Sequence, residues 1–219
     1  MRNLTPLEAR VLGVLVEKQH TVPDTYPLSL NSLTAGCNQK TARVPVIEAT
    51  EAEVLTAIDG MKAMSLVFEG SGSRVVRYEH NLGRIYNVPG ASAALLAVLM
   101  LRGPQTAAEL RLNCERLHKF ADISSVEGFL DELAERYPAR VMKLAVAPGA
   151  REPRWTHLLC GEVAEPAWVA PPPGEARAAD VTSGELAAMK AEQTRLAAEV
   201  AELRTLVQRL ARELGVEDV

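Results

Sequence analysis

Residues 66–78 read LVFEGSGSRVVRY, and the fold predicted for the first part of the chain follows from this stretch. Two short runs of β-branched and aromatic residues flank a turn of glycine and serine, a pattern typical of a β-hairpin. Three helical segments precede the hairpin. Because three helices followed by a hairpin is the order of a winged helix-turn-helix domain, the sequence predicts such a domain over residues 1–88.

The three helices of this first domain are indicated by capping signals and by apolar periodicity. Thr5, Pro6 and Glu8 supply an N-cap, a first-turn proline and the spacing of a capping box. A second short helix is predicted over residues 28–35, and Thr50 begins a third helix. Only 4% of the residues are aromatic, so aliphatic side chains must fill the core.

The same order of elements then occurs a second time. The hairpins share the signature Arg-aromatic-x-His-x-Leu, at residues 77–82 and 154–159. We interpret the repeat as a duplicated unit, which predicts a second winged helix over residues 89–161. Its predicted elements are an apolar helix at 91–101, a short helix capped by Thr106, a third helix that starts at Ser124 or Ser125, and strands within 140–146 and 154–159.

The composition is that of an ordinary globular protein, with 47% hydrophobic residues, 24% charged residues and a net charge of −4. Residues 1–90 carry nine basic and nine acidic side chains, whereas residues 161–219 carry six and eleven. A balanced body with an acidic tail differs from the basic footprint of a typical nucleic-acid-binding domain. We see no secretion signal and no membrane-length apolar run, and cysteines are few, so we expect a cytoplasmic protein with no membrane partner and with reduced thiols.

The C-terminal part of the chain changes character twice. Residues 162–184 are rich in proline and predict a linker. Residues 185–215 place apolar side chains at alternating steps of three and four, which predicts a coiled-coil helix and a homodimer. A helix that folds back on its own domain is the alternative. The predicted dimerisation residues are Leu186, Met189, Leu196, Val200, Leu203, Val207, Leu210 and Leu214, with the polar Gln193 in the same series.

Several stretches of the chain match a known family. Residues 4–12, LTPLEARVL, carry part of the likeness. The more specific matches are residues 26–31, YPLSLN, and residues 37–46, CNQKTARVPV, with further matches at 74–79, 101–106 and 157–163. On these residues the chain resembles the YceH-like family of uncharacterised bacterial proteins. The resemblance implies tandem winged helices and brings no established activity or catalytic residue. With the elements above, the predicted fold is mainly α with small β-hairpins (α+β), two tandem winged helix-turn-helix domains and a C-terminal coiled coil.

Winged helices raise the question of DNA binding. A helix-turn-helix offers basic or amide side chains of its third helix to base edges, but the polar positions predicted for that helix are mostly acidic. The basic candidates lie in the loop before it and in the hairpin: Lys40, Arg43, Arg74 and Arg77. We predict a regulatory dimer that binds double-stranded DNA through these four residues and mainly through phosphates. The alternatives are that they are solvated surface charges, and that the domains are a scaffold for a partner protein.

Residues 38–43, NQKTAR, are the most polar stretch between the helices. They could bind an anion, or they could form an ordered connection whose side chains satisfy backbone groups. Cys114 and His118 supply only two of the ligands that a metal site needs, and no acid, base and nucleophile can be assembled. We therefore predict no enzyme activity, no catalytic residues, no metal and no cofactor.

Overall fold

The computed structural model describes residues 2–70, 75–146 and 152–163. They belong to one compact unit that spans residues 1–168, and a second unit spans residues 169–219. The predicted hairpin turn at 71–74, which includes Arg74, lies outside the described residues. So do residues 164–219, with most of the predicted linker and the whole predicted coiled coil, including its eight dimerisation residues.

Three helices begin where threonines supply capping signals. In each case the threonine side chain accepts a hydrogen bond from the backbone N–H three residues on, and the glutamate at that position accepts one from the threonine N–H. The predicted starts of these helices are confirmed. The capping residues are Thr5 before α1 (Pro6–Thr21), Thr50 before α3 (Glu51–Lys62) and Thr106 before α6 (Ala107–Asn113).

The second helix differs from the prediction of residues 28–35. Helix α2 (Leu30–Cys37) begins two residues later, because the two residues before it form a short strand, β1 (Leu28–Ser29). The Ser29 side chain then caps the helix by accepting a hydrogen bond from the Ser32 N–H at 3.3 Å. Leu28 and Ser29, which local periodicity assigns to a helix, are therefore in a strand because they pair with the distant strand Arg77–His80.

Two further helices depart from the sequence pattern. Helix α7 (Ile123–Glu135) begins before the predicted Ser124 or Ser125, because Asp122 is its N-cap and accepts a hydrogen bond from the Ser125 N–H at 2.7 Å. A short helix after the first hairpin, α4 (Leu82–Ile85), was not predicted. The apolar helix expected over 91–101 is present as α5 (Gly90–Arg102).

Both predicted hairpins are present as small antiparallel sheets. In the first, β1 pairs with the second hairpin strand, β3 (Arg77–His80), whose other neighbour is β2 (Val67–Gly70), so that the strand order is β1-β3-β2. The resulting fold is mixed, with helices predominating. The hairpin strands are β2 (Val67–Gly70) with β3 (Arg77–His80), and β4 (Val141–Lys143) with β5 (Trp155–His157).

The repeated histidines occupy equivalent places in the two sheets. His80 lies opposite Val67, and His157 lies opposite Val141. Burial lowers the pKa of each imidazole to about 4, so both rings are neutral at pH 7. The parallel positions support a shared structural role for the two histidines.

The repeated arginines also occupy equivalent places. The Nη1 group of Arg77 donates to the carbonyl oxygen of Pro27 at 2.7 Å, and that of Arg154 donates to the carbonyl oxygen of Pro104 at 2.8 Å. Each proline lies just before the short second helix of its half. In both halves, the arginine of the signature therefore connects the hairpin to the residues just before the second helix.

One aliphatic core runs through both halves, and helices α1 and α5 form its centre. Nearly every residue of α5 is buried, which explains why its sequence is apolar on all sides. The backbones approach closely at Gly13, where an added Cβ would lie 3.0 Å from the Leu101 Cγ atom. Among the described residues, no helix is long and apolar enough to cross a membrane.

Candidate functional site

The three predicted DNA contacts that the structure describes lie in different environments. Lys40 is exposed on the connection between α2 and α3, whereas the side chain of Arg43 has no exposed surface. Arg77 is half-buried, and Arg74 lies outside the described residues. The described members therefore do not form one exposed basic surface.

Arg43 forms an internal ion pair with Glu17 of helix α1. Its Nη2 and Nη1 groups donate to the two carboxylate oxygens at 2.6 and 3.1 Å, and its Nε donates to the Gly36 carbonyl oxygen at 3.1 Å. Burial opposes ionisation of Glu17, but the hydrogen bond and charge of Arg43 outweigh it and lower the pKa of that carboxyl. Arg43 is thus not available for a phosphate contact, because its guanidinium is buried and is already bound by a carboxylate.

Arg77 is also committed to the protein. Beside its bond to Pro27, its Nη1 group donates to the Thr25 carbonyl oxygen at 3.1 Å. These two bonds hold the turn before β1 against the hairpin. Among the three predicted DNA contacts that the structure describes, Lys40 is therefore the one whose side chain is exposed and available to a ligand.

The connection that carries Lys40 is an ordered segment. The Asn38 side chain donates to the Ala49 carbonyl oxygen and accepts from the Ala49 N–H, both at 2.8 Å. From helix α1, the buried Arg10 donates to the carbonyl oxygens of Cys37 and Pro45 at 3.1 and 2.7 Å. The polar stretch is therefore an ordered connection, one of the two interpretations that its sequence allows, and it leads directly into α3.

The buried role of Arg10 was missed from the sequence. The one available signal was an arginine between Ala9 and Val11, inside the apolar face of α1. Its partners are carbonyl groups 27 and 35 residues away, which periodicity does not locate.

Helix α7 presents an acidic face to solvent. Glu127, Asp131, Glu132 and Glu135 are exposed, and the helix contains no basic residue. Its opposite face packs into the core through Val126, Leu130 and Leu133. All charged side chains of α7 are therefore acidic.

Helix α3, the equivalent helix of the first half, is also acidic. Glu51, Glu53 and Asp59 are exposed, and the single cation is Lys62. That lysine is engaged by carboxylates, with its Nζ atom 2.5 Å from Glu69 and 3.7 Å from Asp59. The charge pattern predicted for the third helices from sequence is thus confirmed on the exposed face.

A notch of about 180 Å³ lies between α7 and the second hairpin. Its floor and walls are apolar and include Ile123, which is 45% exposed, and Trp155. Two exposed carboxylates, Glu127 and Glu152, lie at its rim. The sequence did not reveal this notch, because Ile123 and Glu152 come together only when the hairpin packs beside α7.

The two buried cysteines carry unreactive thiols. Burial raises the pKa of both Cys37 and Cys114 to about 12, so these thiols are protonated and unreactive at pH 7. His118 stacks edge-on against Phe120, with ring centroids 4.7 Å apart. Within residues 2–70, 75–146 and 152–163, no cluster of three or more metal-ligating side chains occurs.

The fold and these surfaces define a mixed α/β protein with two equivalent halves on one core and with acidic third helices. The chain belongs to the family described as "Protein of unknown function, DUF480", whose model matches residues 4–150. A UPF0502 protein of Leptothrix cholodnii is 67% identical over 215 residues, which cover 98% of this chain and 97% of the relative. A UPF0502 protein of Burkholderia multivorans is 66% identical over 217 residues, covering 99% and 92% of the two chains.

Proposed function

We propose that this protein is a protein-interaction module, built of two winged-helix units, that binds a basic segment of a partner protein. The observation that carries the proposal is the exposed acidic face of α7, with its four carboxylates and no cation. A DNA phosphate backbone would be repelled at this helix, whereas lysine and arginine side chains would be attracted. The equivalent helix α3 has the same sign of charge.

The notch beside α7 supports a specific mode of attachment. A lysine or arginine side chain has a long apolar stem and a charged end. The stem would lie on Ile123 and Pro153, and the charge would meet Glu127 and Glu152 at the rim. A partner segment with a basic side chain at the notch and further basic residues along α7 matches this surface in both shape and charge.

The binding unit in this proposal is a homodimer. The apolar heptad positions between Leu186 and Leu214 support it. A dimer would present two copies of each acidic face, and simultaneous engagement of both would increase the apparent affinity for a partner with two basic segments.

The test is a charge reversal on α7. We expect the double variant Glu127→Lys and Asp131→Lys to weaken binding of a fluorescently labelled peptide, in which arginine and leucine alternate, by about tenfold or more. Fluorescence anisotropy on the full-length chain measures the affinity. The matched control is Asp24→Lys with Glu79→Lys, which reverses two exposed carboxylates in the first half of the chain and makes the same change in net charge. Equal loss in both variants would indicate a general charge effect and would contradict the assignment to α7.

Regulatory binding of double-stranded DNA is the second candidate function. The observation that favours it is that both connections before a third helix expose cations, Lys40 in the first half, and Arg116 and Lys119 in the second. These could contact phosphates without using the acidic helices. On this model, Lys40→Glu with Lys119→Glu abolishes binding to a labelled duplex, and an unchanged affinity would remove these residues from it.

A further inference from the structure

A second cavity, of about 280 Å³, opens where the two halves of the chain meet. One wall is the connection before α3, at Ala42 to Val44, and the other is formed by the end of α5, by α6 and by Arg154, the residue before β5. Beside it, the Val44 N–H donates to the Leu101 carbonyl oxygen at 2.9 Å. The cavity is separate from the notch at α7 and shares no lining residue with it.

Three arginines line this cavity, and one of them, Arg43, is already paired with Glu17. Arg154 is oriented by the protein, since its Nη1 group donates to Pro104 and its Nη2 group donates to Glu109 at 3.0 Å. Arg102, at the end of α5, is half-buried and makes no hydrogen bond or ion pair to any residue in the described part of the chain. Glu17 balances Arg43 and Glu109 balances Arg154, so Arg102 leaves the cavity with an uncompensated positive charge.

The polar side of the cavity is already organised. The Asn113 side chain donates to the Gln105 Oε1 atom at 2.6 Å. The buried Gln105 in turn donates to the carbonyl oxygens of Gly103 and Val98 at 3.3 and 3.4 Å. These bonds fix the wall in the absence of a ligand, which reduces the entropy that binding would cost.

We propose that this cavity binds a small oxyanion, a carboxylate or phosphate group, through Arg102 and Arg154. A planar guanidinium matches an oxyanion such as a carboxylate or a phosphate group with two parallel hydrogen bonds. The volume lies just below the common range of small-molecule sites, about 300–1,000 Å³, so the ligand is a small metabolite-sized molecule. Since both halves of the chain contribute walls, bound ligand joins the connection before α3 to the second half.

The test is thermal unfolding of the full-length protein in sodium phosphate or sodium citrate, each compared with sodium chloride at equal ionic strength. We expect at least one of the two anions to raise Tm saturably above the chloride control, because a ligand of the native state stabilises it by mass action. A phosphate-only or citrate-only response identifies the oxyanion. If sodium chloride raises Tm as much as phosphate and citrate do, or if neither of those anions raises it, the proposal is overturned.

Variants of Arg102 separate this site from general charge effects. We expect Arg102→Gln to weaken binding of the active anion by roughly tenfold, and Arg102→Lys to restore part of it, because lysine keeps the charge without the planar fork. The matched control is Arg84→Gln in α4, an exposed arginine away from the cavity, which should bind as the unmodified protein does. Saturable binding that is unchanged in Arg102→Gln would show that the anion binds elsewhere.

Discussion

At the scale of single residues, two buried arginines stabilise the fold through hydrogen bonds inside the protein. Arg10 and Arg43 are both buried, and together they hold the connection between α2 and α3 against α1. A buried guanidinium is stable only when carbonyl or carboxylate oxygens replace its lost water. Arg43 therefore depends on Glu17, and the position of the exposed Lys40 depends in turn on that pair.

Replacing Glu17 with glutamine should destabilise the protein strongly. Arg43 would remain charged and buried without its counterion, which costs about 3–5 kcal/mol in comparable pairs. Urea unfolding at pH 7 measures the loss. Glu69→Gln is the control, since its partner Lys62 is exposed and its loss should have a much smaller effect. A Glu17→Gln variant as stable as the Glu69→Gln variant would contradict the supporting role of the buried pair.

The same pair contributes to the pH dependence of stability. The pKa of Glu17 is lower in the folded protein than in the unfolded chain, so its contribution is complete above the ordinary glutamate pKa. It is lost as the pH falls through the lowered value, where the folded carboxylate takes up a proton. The Glu17→Gln variant should therefore lose less stability than the unmodified protein between neutral and acidic pH.

At the scale of elements, packing of α1 against α5 joins the two halves. The close approach at Gly13 leaves no room for a larger side chain, because Leu101 and the Ala97 carbonyl oxygen lie within 3.3 Å of an added Cβ. Glycine in a helix interior otherwise lowers helix stability, so its presence here is explained by this contact. The α1–α5 interface is thus the element contact on which the shared core depends.

Gly13→Val should destabilise the protein by about 1–3 kcal/mol through overpacking. Gly128 on α7 offers a matched control, because an added Cβ there meets no atom within 4 Å. Gly128→Val should be neutral or slightly stabilising, since valine has the higher helix propensity. Thermal unfolding compares the two, and equal stability of both variants would rule out a tight contact at Gly13.

The elements could be predicted from sequence wherever a local signal specifies them. The capping boxes at Thr5, Thr50 and Thr106 located three helix starts correctly, because cap and helix are only three residues apart. Strand β1 was not predicted, because its partner Tyr78 is about fifty residues away and Leu28 alone fits a helix. The burial of Arg43 and the rim of the notch at Glu152 escaped prediction for the same reason.

At the scale of the whole molecule, two kinds of charged surface coexist. The third helices α3 and α7 are acidic, and the cavity at the end of α5 is basic around Arg102. They suit different ligands, a basic protein segment and a small anion. The two surfaces lie on elements that pack on one core, so one protein could carry both activities.

Deletion of residues 184–219 tests the proposed dimer. The apolar heptad positions predict that the full-length chain is a dimer and that the shortened chain is a monomer. Light scattering gives the molar mass of each. A shortened chain that keeps the mass of the full-length protein would show that these residues do not cause dimerisation.

The most direct test of the proposed function is to measure the full-length protein with two labelled ligands across one salt series. One ligand is the arginine–leucine peptide, and the other is a pool of random duplex DNA. Acidic third helices predict that the peptide binds more tightly than the duplex at every salt concentration, and that Glu127→Lys with Asp131→Lys removes this preference. Duplex binding that exceeds peptide binding and weakens steeply with salt would contradict the protein-interaction model and favour a phosphate-binding surface.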